Sequence, residues 1–203
     1  MATITDLKMQ KNKSRVNVYL DNVFVCGMEL STIMKNRLKV GSEITQAKLT
    51  ELQTESELDK ALEKAFSLVE RKKYTKIELF KKLKEKGYLP EVSEVVIKKL
   101  EEYGYVDDTN YAESYIRANS LKSKKEIEYN LKQKGVSEHT IKEIIDSSGI
   151  DEHETIKTLA NKFMKYKENT KENRTKLMSY LYRKGFGFSA VEQVVREYGD
   201  CEE

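Results

Sequence analysis

The sequence predicts a mainly α-helical protein: three tandem three-helix repeats forming an elongated array, preceded by a small N-terminal β-hairpin segment. Three observations predict it. A Leu/Ile-x-x-x-Leu-x-x-x-Gly pattern occurs three times, at Leu79, Leu83 and Gly87, at Ile127, Leu131 and Gly135, and at Leu177, Leu181 and Gly185, so the glycines stand 48 and 50 residues apart. The chain has 9 Gly and 1 Pro in 203 residues, too few for a loop-rich sandwich or a long flexible linker. Period-two alternation of polar and apolar residues is confined to the first 55 residues.

Within that head, Arg15 to Leu20 alternates as a half-buried strand does. Asp21 and Asn22 tolerate the left-handed backbone of a tight turn. Val23 to Cys26 reads as the return strand and Gly27 as its end. An earlier strand is expected from Ile4 to Met9, a short helix near Glu29 to Leu38, and a turn at Val40 and Gly41. A lone hairpin is marginal in water, so the head needs a third strand or packing against the body.

From Ser56 the pattern becomes helical. Ala61, Leu62, Ala65, Phe66, Leu68 and Val69 form an apolar stripe, with Thr54 and Glu57 spaced as a capping box ahead of it. Each repeat then has one grammar. An apolar helix comes first. A lysine-rich helix follows and ends at a glycine, which supplies a left-handed cap. An apolar residue (Tyr88, Val136 or Phe186) follows the glycine. The third helix carries Val92, Val95, Val96 and Leu100, then Ile141, Ile144 and Ile145, then Val191, Val194, Val195 and Tyr198. Pro90 suits the first position of such a helix, where a missing N–H costs little. The expected divisions are a head over 1–55 and repeats over 56–108, 109–152 and 153–203.

Net charge is only +3, yet charge is sorted within each repeat. Residues 71–86, 117–134 and 162–184 carry +6, +4 and +6. Residues 91–108, 138–154 and 192–203 carry −4, −5 and −4. Stacked units can therefore present a basic stripe that attracts phosphate backbones or an acidic protein groove, with an affinity that falls with salt. The candidate contact residues are Arg71, Lys72, Lys73, Lys76, Lys81, Lys82, Lys124, Lys125, Lys132, Arg174, Lys176, Arg183 and Lys184. The alternative is a solvated face whose charges pair with neighbouring helices. Tyr74, Tyr129, Tyr166, Tyr180 and Tyr182 lie within or beside the basic segments. Exposed ones can stack on bases, and half-buried ones simply complete the helices. Tyr103, Tyr105, Tyr111 and Tyr115 are expected at the seam between the first two repeats.

No enzyme signature stands out. His139 and His153 have no second ligand at metal spacing, and Cys26 and Cys201 lie far apart without a redox motif. Asp107 and Asp108 precede a helix and are explained as its cap. Gly185-Phe186-Gly187 lacks the Lys-Ser/Thr of a phosphate loop. No catalytic residue, metal or cofactor is expected. No apolar run reaches the ~18–20 residues of a membrane span. The N-terminus has no signal-peptide core, and the sparse cysteines suit a reducing cytoplasm.

These motifs carry a resemblance. Arg71-x-x-x-Thr75-x-x-Glu78-Leu79-x-x-Lys82-Leu83-x-x-Lys86-Gly87 resembles the first-repeat motif of the RecX family, with Thr75 where the family usually has Ser. Gly104-Tyr105-Val106-Asp107-Asp108 followed by Tyr111-Ala112 resembles its junction motif, and Leu181-Tyr182-Arg183-Lys184-Gly185-Phe186 its third-repeat motif. The second repeat departs from the family's Gly-x-x-x-Ile, reading Ser123-Lys124-Lys125-Glu126-Ile127. The head, through Arg15 to Asp21, resembles the extension of longer members. The resemblance implies a non-enzymatic regulator of the RecA recombinase. It would bind the RecA–single-stranded DNA filament in or along its groove and modulate, mostly inhibit, its ATPase, strand exchange and stimulation of repressor cleavage. It implies single-stranded DNA as a contact, directly or through RecA. Two other readings stay open: a stand-alone basic nucleic-acid-binding module, and a helical adaptor for another protein. A capped repeat array is expected to stand as a monomer.

Overall fold

The computed structural model describes residues 1–11 and 13–198. Cys201 and the final acids of the third charge block lie outside the described residues. Contacts divide the chain into two compact units. The first holds residues 1–74 and 78–106, and the second Thr75–Ile77 and everything from Asp107 onward.

The first unit opens with four strands: β1 (Ala2–Met9), β2 (Arg15–Leu20), β3 (Val23–Glu29) and, after helix α1 (Leu30–Lys35), β4 (Glu43–Ile44). They form one antiparallel sheet in the order β3-β2-β1-β4. The hairpin turns at Asp21 and Asn22, whose φ values of 48° and 67° place both residues in the left-handed region. Strand β3 continues past Gly27, where the sequence suggests a stop. Gly27 pairs with Asn17 inside the sheet, and the amide end of the Gln10 side chain lies 2.8 Å from where a Cβ would stand. Ile4, Val16, Val18, Met28, Ile33, Leu49 and Leu52 close the head's core.

Helix α2 (Gln46–Val69) begins nine residues before the expected capping box. Thr45 is the cap, accepting from the Lys48 N–H, and Thr54 sits mid-helix, donating to the Thr50 carbonyl. Leu49 and Leu52 are the cause. They lie at helical spacing and bury in the head, so the helix starts where they do. One helix thereby serves both the head and the first repeat, whose core of Ala61, Ala65, Leu79, Leu83, Val96 and Leu100 is built by α2, α3 (Lys76–Glu85) and α4 (Pro90–Glu102). Pro90 occupies the first turn of α4 as expected. Burial on repeat 1 raises the Tyr88 hydroxyl pKa above its ordinary value.

The second unit contains α5 (Asp108–Ala118), α6 (Lys124–Gln133) and α7 (Glu138–Ser147), then α8 (Glu152–Met164), α9 (Lys171–Arg183) and α10 (Phe188–Glu197). Each triplet has its own core. One centres on Ile127, Leu131 and Ile141, the other on Ile156, Leu177, Leu181 and Val191. Asp107 caps α5 through Thr109 and Asn110, Ser123 caps α6, and Asp151 caps α8. The three repeat glycines have φ values of 88°, 84° and 84°. After each, an N–H reaches back to the leucine carbonyl one turn inside the helix: Tyr88 to Leu83, Val136 to Leu131 and Phe186 to Leu181.

The glycines are not equivalent in what surrounds them. A Cβ at Gly135 would meet the Ile77 side chain at 2.6 Å, whereas one at Gly87 meets nothing within 4 Å. Gly87→Ala should therefore cost only the left-handed backbone penalty, about 1–2 kcal/mol. Gly135→Ala should cost visibly more, by a further ~1–3 kcal/mol of overpacking. Urea unfolding of the two variants checks the order.

Candidate functional site

The three lysine-rich helices owe their chemistry to a simple division of faces. In α3, Leu79 and Leu83 are fully buried, and α6 and α9 repeat this with Ile127 and Leu131, and Leu177 and Leu181. The same spacing turns the cations outward. Arg71, Lys72, Lys73, Lys81, Lys125, Lys132, Lys176 and Arg183 are exposed, and Lys76, Lys82, Lys124, Arg174 and Lys184 are half-buried. Every predicted contact residue thus reaches the surface.

Several are already engaged. Lys82 pairs with Glu85 at 2.6 Å, Lys132 with Glu128 and Glu138 at 3.0 Å, and Lys176 with Glu172 at 2.6 Å. Hydrogen bonding to Glu85 and to Glu138 raises the pKa of Lys82 and Lys132, so both stay charged. Lys72 lies over the Tyr74 ring and Lys184 over Tyr180. Arg71, Lys81 and Lys125 form no ion pair among the described residues and project as open cations.

Within the second unit the same pair of polar contacts occurs twice. The Thr75 hydroxyl donates to the Lys134 carbonyl at 2.6 Å, and the Ser123 hydroxyl to the Lys184 carbonyl at 2.8 Å. Beside each, the next main-chain N–H finds a carboxylate: Lys76 N–H to Asp108 and Lys124 N–H to Glu152, both at 2.9 Å. Two polar joints of identical chemistry therefore set the start of one lysine-rich helix against the end of the next. They bring Lys76 to Lys134, and Lys124 and Lys125 to Lys184. The glycines make this possible, since a Cβ at Gly185 would lie 2.9 Å from the Ser123 hydroxyl.

Sequence reasoning misses Lys134, whose ammonium lies over Tyr111, although its place matches Lys184 in the repeat pattern. It also misses Lys165 and Lys167, which sit over Tyr166 and Phe163. Among the aromatics beside the basic segments, Tyr129 and Tyr166 are 63% and 88% exposed, Tyr166 with Lys165 over one face of its ring. Tyr180 instead stacks on Phe163 and Tyr182 on Phe188. Tyr105 meets Phe66 edge-on in the first repeat, Tyr103 is exposed, and Tyr111 and Tyr115 pack on the second repeat's core. His139 and His153 pair with Glu143 and Glu197, and no group of three metal-binding side chains is found among the described residues. No helix there is long and apolar enough to cross a membrane.

Four family models fall on the chain in order. The N-terminal domain of the regulatory protein RecX matches residues 2–45, and its first, second and third three-helix domains match 61–100, 107–145 and 151–195. The chain belongs to the RecX family. A "Regulatory protein RecX" of Clostridium botulinum (strain Alaska E43) is 35% identical over 97% of this chain and 96% of its own length. One from Clostridium perfringens (strain SM101) is 34% identical with the same coverage. A crystal structure of regulatory protein RecX superposes with a TM-score of 0.73 at 29% identity, covering 96% of this chain and 98% of the other. The RecX of Lactobacillus salivarius, at 24% identity and a TM-score of 0.62, shares the fold.

In this RecX-family chain the second joint also carries stability. Ser123→Ala removes a helix cap and leaves the Lys184 carbonyl without its donor, so it should destabilise by about 1–3 kcal/mol. Ser123→Thr should restore most of that loss. Thermal unfolding of both variants checks this.

Proposed function

We propose that this protein regulates the RecA recombinase. It binds the RecA–single-stranded DNA filament along its groove and mostly inhibits its ATPase, strand exchange and stimulation of repressor cleavage, acting in the cytoplasm during DNA repair. Family membership supports the choice of target. The observation that carries the mode of action is the threefold recurrence of an outward cationic helix on a repeat with its own core. Such an arrangement offers several weak charged contacts on one chain, and linked weak contacts add up to useful affinity. No reacting groups are needed. Binding that favours one filament state over another suffices to slow the enzyme, by as much as the difference in affinity.

Exposed Tyr166 beside Lys165 supports a second reading, in which the protein binds single-stranded DNA directly. A cation and a free ring face together suit a base and its phosphate.

ATP hydrolysis by preformed RecA–single-stranded DNA filaments separates the two. The filament reading expects a dose-dependent fall at protein well below the RecA concentration. It also expects a loss of potency of about tenfold or more on combined reversal at Lys81, Lys125 and Arg183 to Glu, with the fold intact. Potency unchanged by that reversal refutes the role given to the basic helices. Tight DNA binding with a steep salt slope and no effect on filaments selects the nucleic-acid module instead.

A further inference from the structure

Each joint between repeats has a donor half and an acceptor half. The donor half is a hydroxyl residue followed by lysine at the start of a lysine-rich helix: Thr75-Lys76 and Ser123-Lys124. The acceptor half is the carbonyl of the lysine before the repeat glycine together with a carboxylate from that repeat's first helix: Lys134 with Asp108, and Lys184 with Glu152. Three repeats contain three of each half, and two joints use two of each.

The remaining halves are both present. Thr170-Lys171 starts α9 with the same order of groups, and the Thr170 hydroxyl caps the helix through the Asn173 N–H. Thr75 and Ser123 are fully buried in their joints, whereas Thr170 and Lys171 are exposed. At the other end of the repeat series, Lys86-Gly87 lines a cavity of about 300 Å³ in the first unit. Glu57 of α2 lines the same cavity, 29 residues before Lys86, between the 26 that separate Asp108 from Lys134 and the 32 that separate Glu152 from Lys184. The space over Gly87 that Ile77 fills at Gly135, and Ser123 at Gly185, is empty. The cavity therefore gathers the residues of an acceptor half, the lysine before the glycine, the bare glycine and a first-helix glutamate, with Arg15 and Lys60 also on its wall.

We propose that this cavity receives the start of α9 from a second copy of the chain, the Thr170 hydroxyl donating to the Lys86 carbonyl and the Lys171 N–H to Glu57. The occupant is argued by continuity with the two joints inside the chain. Of the three hydroxyl-lysine helix starts among the described residues, this is the exposed one. The contact is heterologous, the donor half of one copy meeting the acceptor half of another, so each copy carries one of each half to offer. It rests on two hydrogen bonds and little apolar area, so the chain is a monomer when dilute and associates as concentration rises.

Sedimentation of the full chain from micromolar to millimolar concentration tests this, with two variants chosen to fold. Thr170→Asp keeps a capping oxygen, removes the donor and sets a carboxylate against Glu57. Glu57→Lys removes the acceptor on the cavity side. The expected result is a mass that rises with concentration for the native chain and stays monomeric for each variant alone. Mixing the two variants should restore association, because the native Thr170 of one then meets the native Glu57 of the other, and the introduced carboxylate faces the introduced ammonium. A native chain that remains monomeric throughout overturns the proposal. So does association that survives both substitutions, since another surface would then be responsible.

Discussion

The constraint on which the structure depends is the need to satisfy main-chain polar groups where helices end. A helix leaves carbonyls without partners at its C-terminus and N–H groups without partners at its N-terminus. In this chain the two shortages are solved against each other. The end of one lysine-rich helix supplies carbonyls, and the start of another supplies a hydroxyl. A nearby carboxylate takes the N–H that follows. Because the solution needs close backbone approach, it also needs a residue without a side chain at the meeting point. The glycine therefore serves two purposes at once, taking the left-handed cap and clearing the space. The burial of Thr75 and Ser123 follows from that arrangement.

Much of this is legible in the sequence, and the rest is hidden for identifiable reasons. The repeat glycines, the hairpin turn at Asp21 and Asn22, Pro90 and the Asp107 cap are readable because each depends on local backbone chemistry. The leucine pairs inside each lysine-rich helix are readable from periodicity. The start of α2 is misplaced because Thr54 and Glu57 satisfy the spacing of a cap, while the deciding residues, Leu49 and Leu52, face a core made by distant strands. Gly27 reads as a stop because a glycine in a strand and a glycine ending one look alike until the neighbouring side chain is known. The joints are invisible for a stronger reason. Thr75 and Ser123 look like ordinary caps, and their carbonyl partners lie 59 and 61 residues away.

The candidate interface is legible in kind more than in detail. Charge sorting finds the three cationic helices, and the structure leaves all of the chosen residues at the surface. It separates them into cations held by carboxylates, such as Lys82, Lys132 and Lys176, and open ones, such as Arg71, Lys81 and Lys125. That separation depends on side-chain reach across a turn, which composition does not report. Lys134 escapes notice because its ring partner, Tyr111, comes from the preceding helix.

One consequence concerns evolutionary freedom. The joint between repeats reads the carbonyl of residue 134 or 184, an atom that every amino acid carries. Substituting the lysine side chain there leaves the joint's chemistry untouched. The cationic surface can accordingly drift and be retuned by selection while the architecture beneath it stays fixed by glycine, a hydroxyl and an acid. Surface charge and the packing of repeats are written in separate atoms of the same residues.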